Sequence, residues 1–320
     1  MDFKPSRREF VATSFAGIAG VAFGRGAQEQ DIVLGSGAHK YKWVPDWLTP
    51  PSHIKYGDTH GLAQDSTGKI YLSHTVHPSS ESSDGVCVFD EQGKFLESWG
   101  PQFKGGSHGL DVRKEGGEEF IYHCDTNRRK VCKTTLKGET IWERGEPKEA
   151  GVYDEKHAYI PTNVAFGPEG EIFVADGYGS SYIHIYDKNG EYKKTFGGPG
   201  SDKGKVQQPH GIWLDNRDEG DPTLAVADRA NRRIQYFSLE GEHIGFVTNG
   251  MRLPCHFSIR NGEMLVPDLQ SIVTILDPYN SVIAQIGDGD PTNLRDHPRA
   301  DFVPGKFIHP HDAIFLRNGD

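Results

Sequence analysis

The sequence predicts an all-β protein built as a six-bladed β-propeller, because one phrase recurs along the chain. Each copy has a His or Asn start, alternating apolar residues, a Gly turn, a strand followed by Asp, and two further strands. Successive starts lie 48, 55, 47, 46 and 55 residues apart, and four short strands per period of this length are typical of radial blades. The starts are His60, His108, Asn163, His210, His256 and His311.

The copy that begins at Asn163 shows the predicted blade in full. Its alternating pattern indicates strands at residues 163–166, 172–176, 182–186 and 192–196. Asn189-Gly190, between the last two strands, is a strong hairpin signal because both residues tolerate positive φ. No long stretch of helical periodicity competes with this interpretation.

The repeats resemble NHL repeats over about residues 56–320, most closely at residues 173–176 and 224–235. A propeller closes its ring, often by pairing strands from both chain ends within one blade. The chain stops at Asp320, where the sixth copy has only begun its second strand, and residues 40–44 supply one closing strand. We therefore expect an incomplete last blade or a sequence that is truncated at its C-terminus.

The acidic composition argues against polyanionic partners. A net charge of −10 and a pI near 5.8 repel a phosphate backbone and give no broad attraction for nucleic acid or anionic lipid. The 39 Gly and 19 Pro residues indicate a turn-rich soluble protein, whose 35% hydrophobic residues suffice for a core distributed between sheets. We expect a small-molecule or peptide-like substrate.

The N-terminus resembles a twin-arginine export signal. Arg7-Arg8 and Phe10-Val11 precede a small apolar run over residues 12–24, as in signals whose arginine pair is read by a receptor. The run is too short and too rich in Gly and Ala for a membrane span, so none is expected after signal removal. The predicted divisions are the signal at residues 1–27, a linker at 28–39 and the propeller at 40–320, in a periplasmic or extracellular protein.

The starts of the innermost strands converge on the channel of a propeller, and five of the six starts are histidine. Alternate blades place His108, His210 and His311 roughly threefold around the axis. Three neutral imidazoles with an open fourth position are typical of catalytic zinc, although other divalent metals are compatible. A single His-Gly pair would indicate only the start of a strand, whereas recurrence at one structural position favours a metal site.

The motifs around these histidines resemble the lyase domain of the peptidylglycine α-amidating enzymes, which cleaves peptidyl-α-hydroxyglycine to a peptide amide and glyoxylate. The matching motifs are His108-Gly109-Leu110, Pro209-His210-Gly211 and Pro310-His311-Asp312. The resemblance implies that His108, His210 and His311 bind a catalytic zinc ion. It also implies a structural calcium ion bound by the backbone carbonyls of Leu62 and Leu110 and by the carboxylate of Asp312, since oxygen ligands suit a hard cation.

The resemblance extends to two candidate catalytic residues. Tyr178 stands in an Asp-Gly-Tyr turn, and Arg229 follows Ala-Asp, as in the family. The resemblance implies that Tyr178 takes the proton of a zinc-bound substrate hydroxyl and that the charge of Arg229 favours the phenolate. The chain also departs from the family, because Thr75 aligns with a second substrate-binding Arg and because His60 and His256 are additional histidines.

These observations predict an exported zinc-dependent carbon–nitrogen lyase that resembles the amidoglycolate lyases. A calcium-dependent lactonase-like hydrolase would need an axis rich in Asn, Asp and Glu, which the histidine ring disfavours. A non-catalytic NHL platform that binds a protein or glycan on a blade face is a further alternative. The four cysteines are too few for a disulfide scaffold; Cys124 and Cys132 flank one hairpin tip, and buried thiols are the favoured interpretation.

Overall fold

Five four-stranded antiparallel sheets follow one another along the chain in the computed structural model, which describes residues 31–218, 220–289, 297–298 and 301–320. In every sheet the strands pair in sequence order, so each sheet is a meander. Such meanders are the blades of a β-propeller, and the predicted all-β propeller fold is confirmed.

The strands are numbered in chain order. An N-terminal hairpin consists of β1 (Val33–Ser36) and β2 (His39–Lys42). The first blade consists of β3 (Thr59–Gln64), β4 (Ile70–His74), β5 (Val86–Phe89) and β6 (Phe95–Trp99). The second consists of β7 (Ser107–Glu115), β8 (Glu118–Asp125), β9 (Lys130–Thr135) and β10 (Thr140–Arg144). The third consists of β11 (Asn163–Phe166), β12 (Ile172–Ala175), β13 (Tyr182–Tyr186) and β14 (Tyr192–Gly197).

The fourth blade consists of β15 (Pro209–Asp215), β16 (Thr223–Asp228), β17 (Arg233–Phe237) and β18 (His243–Val247). The fifth consists of β19 (Ser258–Arg260), β20 (Glu263–Asp268), β21 (Ile272–Leu276) and β22 (Val282–Ile286). Short 3₁₀ helices lie in the connections at Pro101–Phe103, Lys148–Ala150 and Arg229–Asn231.

The outer hairpin of the third blade shows how the sequence sets a turn. The carboxylate of Asp187 accepts the backbone N–H groups of Asn189 and Glu191, both at 2.9 Å. Gly190 has a φ of 77°, which a residue without a side chain adopts at little cost. The strands on either side of this turn have the predicted bounds to within one residue.

Side chains that alternate along the strands fill the spaces between neighbouring blades. Phe173 and Ile185 of the third blade pack with Ile212 and Phe237 of the fourth. Val174, on the opposite face of β12, belongs to the cluster shared with the second blade. Equivalent clusters join the first blade to the second and the fourth to the fifth. The core is therefore distributed between sheets, as the composition predicts.

The prediction of six blades is corrected to five within the described residues. In the last repeat, Ala313 and Phe315 pack against the fifth blade, whereas Ile314 and Leu316 pack against the first. This alternation is that of a β-strand. The described residues give this segment no neighbouring strand in a hydrogen-bonded ladder, so it forms no sheet.

Polar contacts attach the last repeat to both neighbouring blades. On one side, the ring of His311 donates from Nδ1 to the carbonyl oxygen of His60 at 3.1 Å. On the other side, the backbone N–H of Phe315 donates to Oγ of Ser258 at 3.2 Å, and Arg260 donates to the carbonyl oxygen of Leu316. His311 is thereby fixed beside the first strand of the first blade.

The N-terminal hairpin packs next to the fifth blade, where Leu34 and Tyr41 join its hydrophobic cluster. Strand β1 falls within the predicted linker 28–39, and the predicted boundary at residue 40 falls inside the hairpin. The export signal predicted at residues 1–27 lies outside the described residues. In the described part of the chain, no helix has both the length and the apolar character that a membrane crossing requires.

All four cysteines are buried and free. In the pairing of β8 with β9, Cys124 lies opposite Val131 and Cys132 lies opposite His123. Because neighbouring residues of a strand point to opposite faces, the two thiols enter different interblade clusters. The interpretation as buried thiols is confirmed, and the hairpin geometry gives no disulfide.

Candidate metal centre

The structure brings His108, His210 and His311 together. The ring centroids of His108 and His210 are 4.9 Å apart, as are those of His108 and His311, and those of His210 and His311 are 4.5 Å apart. The three residues come from the start of β7, from β15 and from the last repeat. The convergence that the repeat pattern predicts is therefore present, and the role of the histidines as ligands stays a prediction.

Each of the three rings is oriented by a backbone carbonyl of a neighbouring blade. Nδ1 of His108 donates to Thr162 O at 2.7 Å, and Nδ1 of His210 donates to Cys255 O at 2.9 Å. Because a carbonyl oxygen can only accept, Nδ1 carries the hydrogen in each ring and Nε2 keeps its lone pair. His311 follows the same rule with the carbonyl of His60. Metal-binding histidines in proteins are commonly held in this way.

The carbonyl contacts also explain the recurring His-Gly pair. A Cβ at Gly109 would lie 2.2 Å from Thr162 O, and a Cβ at Gly211 would lie 2.3 Å from Cys255 O. Any side chain would push away the carbonyl that orients the preceding histidine. The glycines are thus required by the histidine geometry, which is a physical reason for a motif that the sequence shows only as a recurrence.

The site favours neutral imidazoles. Burial, together with neighbouring histidines and Arg229, lowers the pKa of His108, His210 and His311 well below the usual histidine value. In the described part of the chain, Nε2 of His108 is buried without a hydrogen-bond partner. A buried acceptor in that state is costly unless something binds it. Three neutral imidazoles whose Nε2 atoms keep their lone pairs are a donor set that suits a zinc ion, which accepts nitrogen ligands at about 2.0–2.1 Å.

The two predicted catalytic residues also reach this cluster. The phenol oxygen of Tyr178 lies 3.1 Å from Nε2 of His210, and its ring centroid lies 5.0 Å from that of His108. The guanidinium carbon of Arg229 lies 5.3 Å from the centroid of the Tyr178 ring. Tyr178 is 37% exposed whereas Arg229 is buried, so solvent reaches the tyrosine while the cation beside its ring is shielded.

Buried aspartates at the ends of the second strands fix the loops that carry Tyr178 and Arg229. The carboxylate of Asp176 accepts the N–H groups of Ile160 and Ser180 at 2.7 Å each. The carboxylate of Asp228 accepts the N–H of Gln207 at 2.7 Å. These aspartates are the repeat residue that ends the second strand, so the fold places both candidate catalytic residues at the same mouth.

His60 is a further member of the cluster. Its ring stacks on that of His108 with centroids 4.4 Å apart, and its Nδ1 lies 3.2 Å from Nε2 of His311. His60, His108 and His311 each offer one ring nitrogen, and these nitrogens lie within 4.8 Å of one another. The sequence identifies His60 as an additional histidine of the ring but gives no signal that separates it from His256.

His256 instead belongs to a separate polar group with Asp312 and Asn163. Its Nδ1 lies 2.6 Å from Oδ1 of Asp312, and its Nε2 lies 3.1 Å from Oδ1 of Asn163. Burial alone would lower the pKa of His256, but the charge and hydrogen bond of Asp312, with the charge of Asp111, raise it. For the carboxyl group of Asp111 burial acts in the opposite direction, because it disfavours the charged form, and it raises the pKa to about 7.

The predicted calcium site stays a prediction, and hydrogen bonds occupy the carboxylate of Asp312 in the described arrangement. Leu62 and Asp312 do meet, but the contact is a hydrogen bond of 2.7 Å from the N–H of Leu62 to Oδ2 of Asp312. Oδ1 accepts from His256 and from the N–H of Ala313. A calcium ion at this carboxylate would compete with these N–H groups and would need the backbone carbonyl oxygens of Leu62 and Leu110 as further ligands.

Thr75 occupies the position where the family resemblance leads us to expect an arginine. It follows β4 directly, as Arg229 follows β16. Its hydroxyl accepts the N–H of Asp58 at 2.9 Å. Thr75 thus joins the end of β4 to the segment before β3 and adds no positive charge to the site.

The chain is similar in sequence to amidating enzymes. It is 30% identical to peptidyl-glycine alpha-amidating monooxygenase B of Xenopus laevis over 66% of this chain and 26% of that protein. It is 29% identical to a probable peptidyl-alpha-hydroxyglycine alpha-amidating lyase of Caenorhabditis elegans over 57% of this chain and 56% of that protein. The chain thus matches about a quarter of the first relative and just over half of the second. It matches no protein-family model.

Solved structures support the fold. A streptogramin B lyase superposes with a TM-score of 0.56 at 15% identity, covering 85% of this chain and 90% of that chain. A chain in the crystal structure of a nidogen/laminin complex gives a TM-score of 0.53 at 14% identity, covering 71% of this chain and 79% of that chain. At this identity the likeness concerns the propeller architecture alone. Together with the sequence relatives, it indicates a propeller that is similar to the amidating lyases.

Proposed function

We propose that this protein is a zinc-dependent lyase that cleaves a carbon–nitrogen bond in a peptidyl-α-hydroxyglycine or a closely related carbinolamide. The observation that carries the proposal is the meeting of His108, His210 and His311 with Tyr178 and Arg229 at one mouth. The three histidines would hold the metal through Nε2. The sequence similarity to named amidating lyases supports the reaction class.

The chemistry follows from the residues around that point. When bound, zinc supplies a Lewis acid for the substrate hydroxyl oxygen. Tyr178 takes the hydroxyl proton, the O–H electron pair forms the new carbonyl, and the carbon–nitrogen bond breaks toward nitrogen. The amide nitrogen takes up a proton and leaves as the peptide amide, and the other product is glyoxylate. The guanidinium of Arg229 stabilises Tyr178 as the phenolate that accepts this proton, and the phenol formed in this way can supply the proton that the amide nitrogen takes up.

We propose that this protein binds the carboxylate of its substrate less strongly than the family resemblance alone would suggest. A carboxylate is recognised most strongly by a guanidinium that donates two parallel hydrogen bonds. Thr75 supplies a neutral hydroxyl that is already bonded to the backbone of Asp58. We therefore propose weak binding of simple hydroxyglycine peptides and better turnover of substrates whose binding does not depend on that carboxylate contact.

The proposal is tested by product analysis. Zinc-loaded protein is incubated with an α-hydroxyglycine-extended peptide, and mass spectrometry follows both the peptide amide and glyoxylate. We expect the two products in equal amounts, at a rate that His108→Ala abolishes while His77→Ala, at an exposed turn, retains it. Amide release at the same rate from wild type and His108→Ala would refute the proposed site.

We also propose export by the twin-arginine pathway, which the Arg7-Arg8 pair and the following apolar run support. Receptors of this pathway read the arginine pair. Replacement of both arginines by lysine should retain the protein inside the cell, as measured by fractionation. Unchanged export of the lysine variant would contradict this part of the proposal.

A further inference from the structure

His60 lies in direct contact with two of the three candidate metal ligands, His108 and His311. Its Nδ1 lies 3.2 Å from Nε2 of His311, the nitrogen that would bind the metal. Its ring stacks on that of His108 at 4.4 Å with an interplanar angle of 27°. Among the described residues, the nitrogens of His60, His108 and His311 form a group that is compact enough to hold a metal ion.

The tautomers of the two rings determine which nitrogen carries a hydrogen in this contact. Since Nδ1 of His311 donates to the carbonyl of His60, Nε2 of His311 has a lone pair and no hydrogen. Nδ1 of His60 faces that lone pair, so it must donate a hydrogen when no cation is bound. A cation between the two nitrogens replaces that hydrogen and binds both. An ordinary role at the start of a strand does not require this ring-to-ring contact.

We propose that His60 is a fourth ligand of the metal centre, an inference that rests on the proposed function because it requires the same metal. His60 binds through Nδ1, whereas His108, His210 and His311 bind through Nε2. A tetrahedral ion with four protein ligands is closed to further ligands, so the substrate oxygen must compete with His60. His60 and His311 are partly exposed, whereas His108 and His210 are buried. Because the carbonyl of His60 holds Nδ1 of His311 in place, we infer that His60 is the ligand that yields.

The experiment uses cobalt as the metal probe, because its visible spectrum reports the number and type of its ligands. Metal-free wild type, His60→Ala, His60→Gln and His311→Ala are titrated with Co²⁺, and the dissociation constant is measured by competition with a chromophoric chelator. His77→Ala is the matched control at an exposed histidine. Circular dichroism shows which variants are folded, and His60→Gln serves if the alanine variant is not.

We expect His60→Ala to bind Co²⁺ at least about tenfold more weakly and with an altered visible spectrum. Added imidazole should restore the wild-type spectrum, because it supplies the missing ligand, and His77→Ala should match wild type. If His60→Ala keeps the wild-type spectrum and affinity while His311→Ala loses the metal, the role of His60 is overturned and the proposed function stands. If the wild type binds no Co²⁺, both are overturned.

Discussion

The phenol oxygen of Tyr178 and Nε2 of His210 lie 3.1 Å apart, which joins the candidate base directly to the candidate metal ligands. A substrate hydroxyl held beside His210 would therefore be within reach of Tyr178. We expect Tyr178→Phe to keep the fold and the bound metal while lowering turnover about 10²-fold or more, the usual contribution of one general base. Steady-state glyoxylate release together with metal analysis checks this.

The matched control for that variant is Tyr279→Phe, which alters a tyrosine that is 87% exposed. It should behave as wild type. Turnover by Tyr178→Phe at the wild-type rate, on any accepted substrate, would exclude the phenol as the base and favour a metal-bound hydroxide.

Thr75 offers a gain-of-function test of substrate charge. Thr75→Arg should raise kcat/KM for a hydroxyglycine peptide about tenfold, mainly through KM, because it places a guanidinium where the substrate carboxylate is expected. Thr75→Gln, which loses the same bond to Asp58 without adding charge, separates charge from loop geometry. Equal kinetics for the arginine and glutamine variants would show that the carboxylate does not bind at this position.

Calcium should have no effect on the stability of the wild-type protein. Hydrogen bonds from Leu62, His256 and Ala313 already satisfy the carboxylate of Asp312. We expect the melting temperature to be the same in calcium and in a calcium-selective chelator, as measured by differential scanning fluorimetry. A calcium-dependent rise in the melting temperature would contradict this expectation and support the predicted calcium site. Asp312→Ala should cost about 1–3 kcal/mol, because it leaves His256 without its buried partner.

Buried histidines should make the protein sensitive to mild acid. Burial lowers the pKa of His184 to about 3, whereas a histidine in the unfolded chain titrates near 6.5. Between these values the unfolded state binds the additional proton, so stability is present above about pH 6.5 and is lost as the pH falls toward about 3. His184→Gln should reduce the pH slope by up to about 1.4 kcal/mol per pH unit. Urea unfolding at several pH values measures how the free energy of unfolding of the wild type and of His184→Gln depends on pH. Identical pH slopes for the two proteins would contradict the prediction.

Local patterns predict the blades well because each repeat carries its own turn and strand signals. Residues 163–197 illustrate this, since the Asp187 turn and its flanking strands occur where the pattern places them. The recurrence of histidine at strand starts also predicts that His108, His210 and His311 meet. Closure of the ring is harder, because residues 311–316 have strand-like packing but no described partner strand.

The different contacts that His60 and His256 make could not be predicted from the repeat. Both stand at strand starts, yet His60 joins the metal cluster whereas His256 turns to Asp312 and Asn163. Which partner each histidine contacts depends on residues that are distant in sequence. His256 and Asp312 are separated by 56 positions, and His60 and His311 by 251 positions. The hydrogen bonds of Asp312 with Leu62 and His256 likewise depend on three-dimensional packing that no single repeat encodes.

If His108, His210 and His311 hold a metal ion that is required for carbon–nitrogen cleavage, activity should follow the metal content of the protein. This is measured as glyoxylate release by chelator-stripped, folded protein during stepwise return of zinc. We expect the rate to rise in proportion to zinc until a single ion is bound per chain, and His210→Ala to show no such rise. Full activity in stripped protein, with metal analysis showing no zinc, would refute a metal-dependent reaction at this site.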